Sequence, residues 1–208
     1  FFRIQETKMA DLFEEKAQDW DVNDMVKQLS SGIGTTMLQR VDFKPDMDVM
    51  DFGAGTGLIS GQVASKVGKI TAVDISESML EKLSAKPELK DKVQTVCQDI
   101  TKQPLDKKFD IIVSAMAMHH VEDTDNLAKT FASHLKPHGK VALADLDAED
   151  GTFHPEDTEG VYHSGFDRDA LKSILEKNGF DNIEFFTAHT AEKETGQYPI
   201  FLVTATKH

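Results

Sequence analysis

Cysteine is nearly missing from this sequence: Cys97 is the only one in 208 residues. No disulfide can close within the chain, and a thiolate metal cluster is excluded. A reducing, cytoplasmic setting is therefore the expectation. Basic residues are also short, with 23 Lys and Arg against 36 Asp and Glu and a net charge of −13. Those 23 are scattered rather than clustered, which disfavours nucleic acid as a partner, because binding it calls for a dense basic footprint. No run of 18 apolar residues occurs, so no transmembrane helix is expected. The start lacks the charged and apolar regions of a secretory signal. Phe1–Lys8 reads either as a non-native leader ahead of Met9-Ala10-Asp11 or as a genuine extension. Internal repeats and low-complexity tracts are absent. What remains is enough chain for one domain with a sizeable core, or a domain plus a lid.

The most informative stretch is Val49-Met50-Asp51-Phe52-Gly53-Ala54-Gly55-Thr56-Gly57-Leu58-Ile59-Ser60. A short apolar run leads into three glycines spaced by two, followed by the start of a helical pattern. Glycines there allow positive φ and let a ligand approach the backbone without a Cβ in the way. Strand, glycine turn and helix start together can present backbone N–H groups to a ligand. The dinucleotide fingerprint G-x-G-x-x-G does not fit, because its sixth position falls on Leu58 or Ser60.

Ahead of this run, residues 9–40 carry helical spacing interrupted at Ser30-Ser31-Gly32, which predicts two helices. Behind it, a helix over 57–67 ends at Gly68, and Ile70–Val73 forms a second strand ending on Asp74. That acid stands 23 residues after Asp51, at the carboxyl end of a neighbouring parallel strand. A carboxylate there can accept from both hydroxyls of a ribose; the competing use is capping the next helix, a job Ser76 can also do. Val93–Cys97 alternates as a third strand, with Cys97 expected as a buried structural thiol, and ends in Gln98-Asp99-Ile100. Asp99 could also be a solvated turn former.

Phe109–Ser114 is a continuous apolar strand of the kind found at the centre of a parallel sheet. Ala115-Met116-Ala117-Met118-His119-His120 follows. At a strand end, neighbouring side chains point opposite ways, so one histidine would face a pocket and the other the protein. Two such rings cannot easily converge on a metal, and none is expected. Asp123 or Thr124 caps a helix with Leu127, Phe131 and Leu135 inward, and Lys136-Pro137-His138-Gly139 ends it. Lys140–Leu146 is a fifth strand. Residues 147–166 are irregular and read as a substrate lid or as a surface loop with incidental histidines. Asp167 opens another helix, closed by Asn178-Gly179, and residues 180–186 and 199–205 form a final hairpin.

The pattern Asp51-x-Gly53-x-Gly55-x-Gly57, with Asp74 and Asp99 at later strand ends, the Met-His-His-Val ending and the Leu-Lys-Pro-x-Gly punctuation, resembles the class I S-adenosylmethionine-dependent methyltransferases. The likeness is to their small-molecule branch, of the type 11/12 kind, over roughly residues 45–207. It implies an α/β, Rossmann-like, seven-stranded and mostly parallel sheet of order 3-2-1-4-5-7-6, the last strand antiparallel, with helices on both faces. It implies S-adenosyl-L-methionine as cofactor, leaving as S-adenosyl-L-homocysteine. The implied contacts are Asp51, Gly53, Ala54, Gly55 and Gly57 in the glycine turn, Asp74 and Ile75 at the ribose, Met79 beside them, Asp99 and Ile100 at the adenine, and Ala115 and Met116 near the amino group.

The same resemblance makes residues 1–44 a helical segment covering the cofactor mouth and 45–208 the catalytic domain. Phe13, Lys16, Ala17 and Trp20 suit such a cover, although Phe13 and Trp20 could simply pack on the sheet edge. A small-molecule acceptor is expected, with His119, His120, His154, Tyr162 and His163 as candidates for acid–base or substrate contacts. The Asn/Asp-Pro-Pro-aromatic motif of enzymes that methylate base amino groups is absent, which argues against nucleobase N-methylation. The alternative function is a non-catalytic S-adenosylmethionine-binding or regulatory protein. A nicotinamide oxidoreductase would need the third glycine one place later.

Overall fold

The apolar runs of the sequence become the inner strands of one seven-stranded sheet in the computed structural model, which describes residues 11–208. The strands are β1 (Asp48–Phe52), β2 (Lys69–Asp74), β3 (Val93–Cys97), β4 (Phe109–Ala115), β5 (Leu135–Leu146), β6 (Phe180–Lys193) and β7 (Gly196–Lys207). Their order is β3-β2-β1-β4-β5-β7-β6, as the resemblance implied. β7 runs antiparallel to both of its neighbours, and the other pairings are parallel. The sheet reverses its winding between β1 and β4, the place where open α/β sheets leave a crevice at the strands' carboxyl ends.

Among the described residues six α-helices surround it: α1 (Glu14–Ala17), α2 (Asp24–Arg40), α3 (Leu58–Val63), α4 (Glu77–Ser84), α5 (Thr124–His134) and α6 (Arg168–Lys177). Neighbouring strand residues belong to different apolar clusters. Val49 and Ile111 pack with Ile33 and Met37 of α2 and Val63 of α3, while Met50 and Ile112 pack with Phe131 of α5 and Leu171 of α6. Because side chains alternate across a strand, these clusters lie on opposite faces. Burial on both faces explains the unbroken apolar runs of β1 and β4.

Several sequence expectations are corrected. Ser30-Ser31-Gly32 does not break the N-terminal helix, for α2 runs through it. The cause is close packing: a Cβ on Gly32 would sit 2.8 Å from the His189 ring, and one on Gly34 would sit 2.1 Å from Gln62. The helix after the glycine turn is shorter than 57–67, since Leu58–Val63 gives way to a 3-10 turn at Ala64–Lys66. Lys136–Gly139 lies within β5, where a register shift against β4 absorbs the extra residues and His138 takes φ 62°. The final hairpin strands extend well beyond 180–186 and 199–205. Cys97 is exposed rather than buried, because β3 is the sheet edge. The reading of Phe1–Lys8 falls outside the described residues.

Candidate functional site

At the carboxyl end of β1 the chain turns through Gly53 (φ 65°), Gly55 (φ 53°) and Gly57 (φ 81°). The turn is anchored on β2, because Gly53 and Ala54 both donate to the Val73 carbonyl, at 2.9 and 3.1 Å. The glycines differ in their surroundings. A Cβ on Gly53 would meet the Ala117 Cβ at 2.2 Å, whereas one on Gly55 would meet nothing within 4 Å. Gly55 therefore presents open backbone to the space above the strand ends. Asp51 is buried below it and accepts from the Ser60 hydroxyl at 2.6 Å. Burial pushes its carboxyl up to about 7, against the opposing pull of the Ser60 hydrogen bonds.

Asp74 ends β2. One carboxylate oxygen accepts the Gly55 N–H at 2.8 Å, and the other accepts the Ser76 N–H at 2.9 Å. Burial holds its carboxyl above the usual range despite these donors. A carboxylate offers about four lone-pair sites, so Asp74 keeps acceptor capacity for a ligand diol. Ser76, not Asp74, caps α4, accepting from Met79 N at 3.2 Å. Asp99 follows β3. Its carboxyl is held below the usual range, because bonds from Lys102 and Thr101 outweigh the effect of burial. Lys102 reaches it at 2.8 Å and the Thr101 N–H at 3.0 Å.

These acids open onto one cavity of about 1230 Å³, whose wall includes Asp51, Gly53, Ala54, Gly55, Asp74, Ile75, Met79, Asp99, Ala115 and Met116. The volume exceeds the roughly 300–1,000 Å³ usual for a single ligand, leaving room for two. Met116 holds φ 56°, a conformation rare outside glycine, and is pinned by its N–H to the Ala144 carbonyl at 2.9 Å. Such backbone clusters at ligand sites. Gly57 and Ile100 are not on the wall. Gly57 lies against Leu83, where a Cβ would come within 2.7 Å of its Cγ, and the Ile100 side chain is fully buried in the core.

The opposite wall comes from the N-terminal segment. Leu12, Phe13, Lys16, Asp19 and Trp20 line the cavity. Asp11 accepts from the Ser78 N–H at 3.0 Å and from the hydroxyls of Ser78 and Ser76 at 2.7 and 3.0 Å. Asp21 accepts from the Thr56 hydroxyl at 2.5 Å and pairs with Lys86 at 2.6 Å. The segment is thus tied to the glycine turn and to α4. Phe13 places its ring edge-on to His120, with centroids 5.4 Å apart.

The two adjacent histidines do not sit on a strand end. Met118–His120 forms a 3-10 turn, where successive side chains stand about a third of a turn apart instead of on opposite faces; the two rings lie with centroids 4.1 Å apart, and both line the cavity. His119 is 1% exposed, and its Nδ1 lies 2.7 Å from Asp145 Oδ1. Its Nε2 is buried with no partner among the described residues. His120 Nδ1 meets the Gly160 carbonyl at 2.7 Å. His154 comes from the irregular stretch, 5.0 Å from the His119 ring, and its Nε2 is also buried and unpartnered. Burial, and then the neighbouring His119, lowers both His120 and His154 to about 4, so both are neutral imidazoles near neutral pH. Tyr162 lines the same cavity but is largely exposed. His163 turns away: its Nε2 lies 2.9 Å from the Val121 carbonyl. Among the described residues, no three His, Cys, Asp or Glu are grouped to hold a metal ion.

Asp145 escaped the reading of the sequence. A fully buried acid inside the apolar run Val141–Leu146 is the signal that could have marked it. Asp11, Asp21 and Phe153 were missed as well, having no motif of their own.

A family profile described as "Methyltransferase domain" matches residues 49–139. An uncharacterized methyltransferase of Schizosaccharomyces pombe is 27% identical over 158 residues, covering 68% of this chain and 56% of that protein. The malonyl-[acyl-carrier protein] O-methyltransferase of Priestia megaterium is 27% identical over 165 residues, covering 78% and 55%. The chain thus spans little more than half the length of these relatives. Among solved structures, Haemonchus contortus phosphoethanolamine N-methyltransferase 2 in complex with S-adenosyl-L-methionine superposes with a TM-score of 0.73 at 19% identity, over 97% of this chain and 58% of that one. At that identity the likeness is one of fold.

Proposed function

We propose that this chain, whose residues 49–139 match the methyltransferase-domain profile, is a class I S-adenosylmethionine-dependent methyltransferase that moves a methyl group from that donor to a small-molecule acceptor. The observation that carries the reading is the convergence of Asp51, Asp74 and Asp99, from three adjacent strand ends, on one cavity with the open face of Gly55. The donor supplies an electrophilic methyl on a sulfonium. The protein's share is to grip the nucleoside, align the acceptor and keep water out, since alignment alone accounts for much of such a rate enhancement.

In this reading Asp74 takes the ribose hydroxyls with the acceptor capacity its two backbone bonds leave. Asp99, on the cavity wall, faces the adenine. Asp51 organises the glycine turn from below through Ser60. The part of residues 1–44 that lines the cavity is the cover, and residues 45–208 are the catalytic domain. The aromatic and imidazole wall opposite the glycine turn receives the acceptor. The relatives named above include an O-methyltransferase and an N-methyltransferase. Within the described residues no helix is long and apolar enough to cross a membrane.

The test is a panel of small hydroxyl, amine, thiol and carboxylate compounds incubated with the protein and donor carrying a labelled methyl. Label in a compound, with matching release of S-adenosylhomocysteine, supports the proposal. Tight binding of S-adenosylhomocysteine with no label transferred to any class would favour a binding protein instead.

A further inference from the structure

Resting on the methyltransferase reading, we infer that His119, held by Asp145, is the base that takes the proton from a phenolic or enolic hydroxyl as its oxygen is methylated. The observation is an atom without a partner. His119 is 1% exposed, yet its Nε2 makes no hydrogen bond among the described residues, and its ring lines the cavity. A buried polar atom left bare is costly unless something else satisfies it. The acceptor's hydroxyl hydrogen is the natural partner.

The opposite edge of the ring is fully committed. Asp145 accepts at 2.7 Å from Nδ1, at 3.2 Å from the His119 backbone N–H, and at 2.8 Å from the Leu146 N–H. Asp145 is 0% exposed and sits on β5, a rigid inner strand. With Nδ1–H donating to this carboxylate, the neutral ring carries its lone pair at Nε2. Asp145 is a positioning residue, because it acts through the histidine.

The chemistry selects the acceptor class. A neutral amine or a thiolate presents its lone pair without help, and a carboxylate has already lost its proton. A hydroxyl must lose its proton as the O–CH₃ bond forms. That proton goes to Nε2, while the S–CH₃ bond breaks and its electron pair stays on sulfur as the neutral thioether. An imidazole is more closely matched to a phenol, of pKa about 10, than to an aliphatic alcohol, which resembles water at roughly 15.7. The wall suits a flat group: the rings of Phe13, His120, Phe153 and His154 border the same space.

The test pairs para-cresol, whose hydroxyl is intact at neutral pH, with pentafluorophenol, which is already ionised. The proteins are wild type, His119→Gln and Asp145→Asn, and benzylamine serves as the amine probe. The expected result is transfer to para-cresol that falls by roughly 10²–10⁴-fold in His119→Gln. Transfer to pentafluorophenol falls far less, and S-adenosylhomocysteine affinity stays within about threefold of wild type, since His119 lies outside the nucleoside grip. A merely structural histidine would lower both phenols equally, and that result overturns the inference. So does transfer to benzylamine alone, or to no phenol, while S-adenosylhomocysteine still binds. Should wild type fail to bind S-adenosylhomocysteine, the methyltransferase reading itself falls. If His119→Gln does not fold, nitrogen NMR of the wild-type ring decides: Nδ1 protonated with a bare Nε2 supports the inference, and the other tautomer overturns it.

Discussion

The Asp74 carboxylate accepts the Gly55 N–H at 2.8 Å, joining the end of β2 to the turn that follows β1. One side chain therefore shapes the glycine turn and faces the cavity with its remaining acceptor sites. Asp74→Ala is expected to weaken S-adenosylhomocysteine binding by about ten- to a hundredfold, since hydrogen bonds to a charged group each contribute roughly 1.5–3 kcal/mol. Isothermal titration measures it. Affinity within twofold of wild type would remove Asp74 from the ribose.

Gly53 and Gly55 separate folding from binding. Gly55→Ala meets no protein atom and costs the protein only the left-handed backbone, about 1–2 kcal/mol. Gly53→Ala adds a collision with Ala117. The expected outcome is that Gly55→Ala melts within several degrees of wild type but loses most of its S-adenosylhomocysteine affinity, while Gly53→Ala melts much lower. Unchanged binding in Gly55→Ala would mean that no ligand approaches that backbone.

Asp51 makes stability depend on pH. Its folded pKa, about 7, stands above the ordinary 3.8. Between those values the folded protein holds a proton that the unfolded chain has released, so stability falls as pH rises from about 4 to about 7 and then levels. Asp51→Asn lacks this dependence. Relative to wild type it should gain up to about 4 kcal/mol across that window, at about 1.36 kcal/mol per pKa unit. Denaturant melts of the ligand-free proteins at several pH values check this, and a constant difference would contradict it.

Asp21 tests the cover. Its bonds to Thr56 and Lys86 tie the N-terminal segment to the glycine turn and to the chain just after α4. Asp21→Ala should speed S-adenosylhomocysteine dissociation about two- to tenfold, the range expected for a partly exposed bond of roughly 0.5–1.5 kcal/mol. Stopped-flow displacement reads it, and an unchanged rate would show that the segment does not retain the ligand.

The placing of the acids and glycines around one cavity was legible from residue type together with the family resemblance. The acids at the strand ends and the glycines between them stand out because parallel strands are otherwise apolar. The continuity of α2 through Ser30-Ser31-Gly32 was not legible, because Gly32 and Gly34 serve close packing against His189 and Gln62, which no local pattern shows. Cys97 was misjudged although the implied strand order already put β3 at the sheet edge, where one of its neighbouring strands is missing. The histidine pair was placed on a strand end, and a 3-10 turn there reverses the expected geometry. Asp145 hid inside an apolar run 26 residues from the histidine it holds.

Calorimetric titration of S-adenosylhomocysteine, with NAD run in parallel, tests the central claim most directly. The account predicts one molecule of S-adenosylhomocysteine bound per chain, a raised melting temperature in its presence and no response to NAD. An absence of heat and of any melting shift with S-adenosylhomocysteine, or an equal response to NAD, would contradict it.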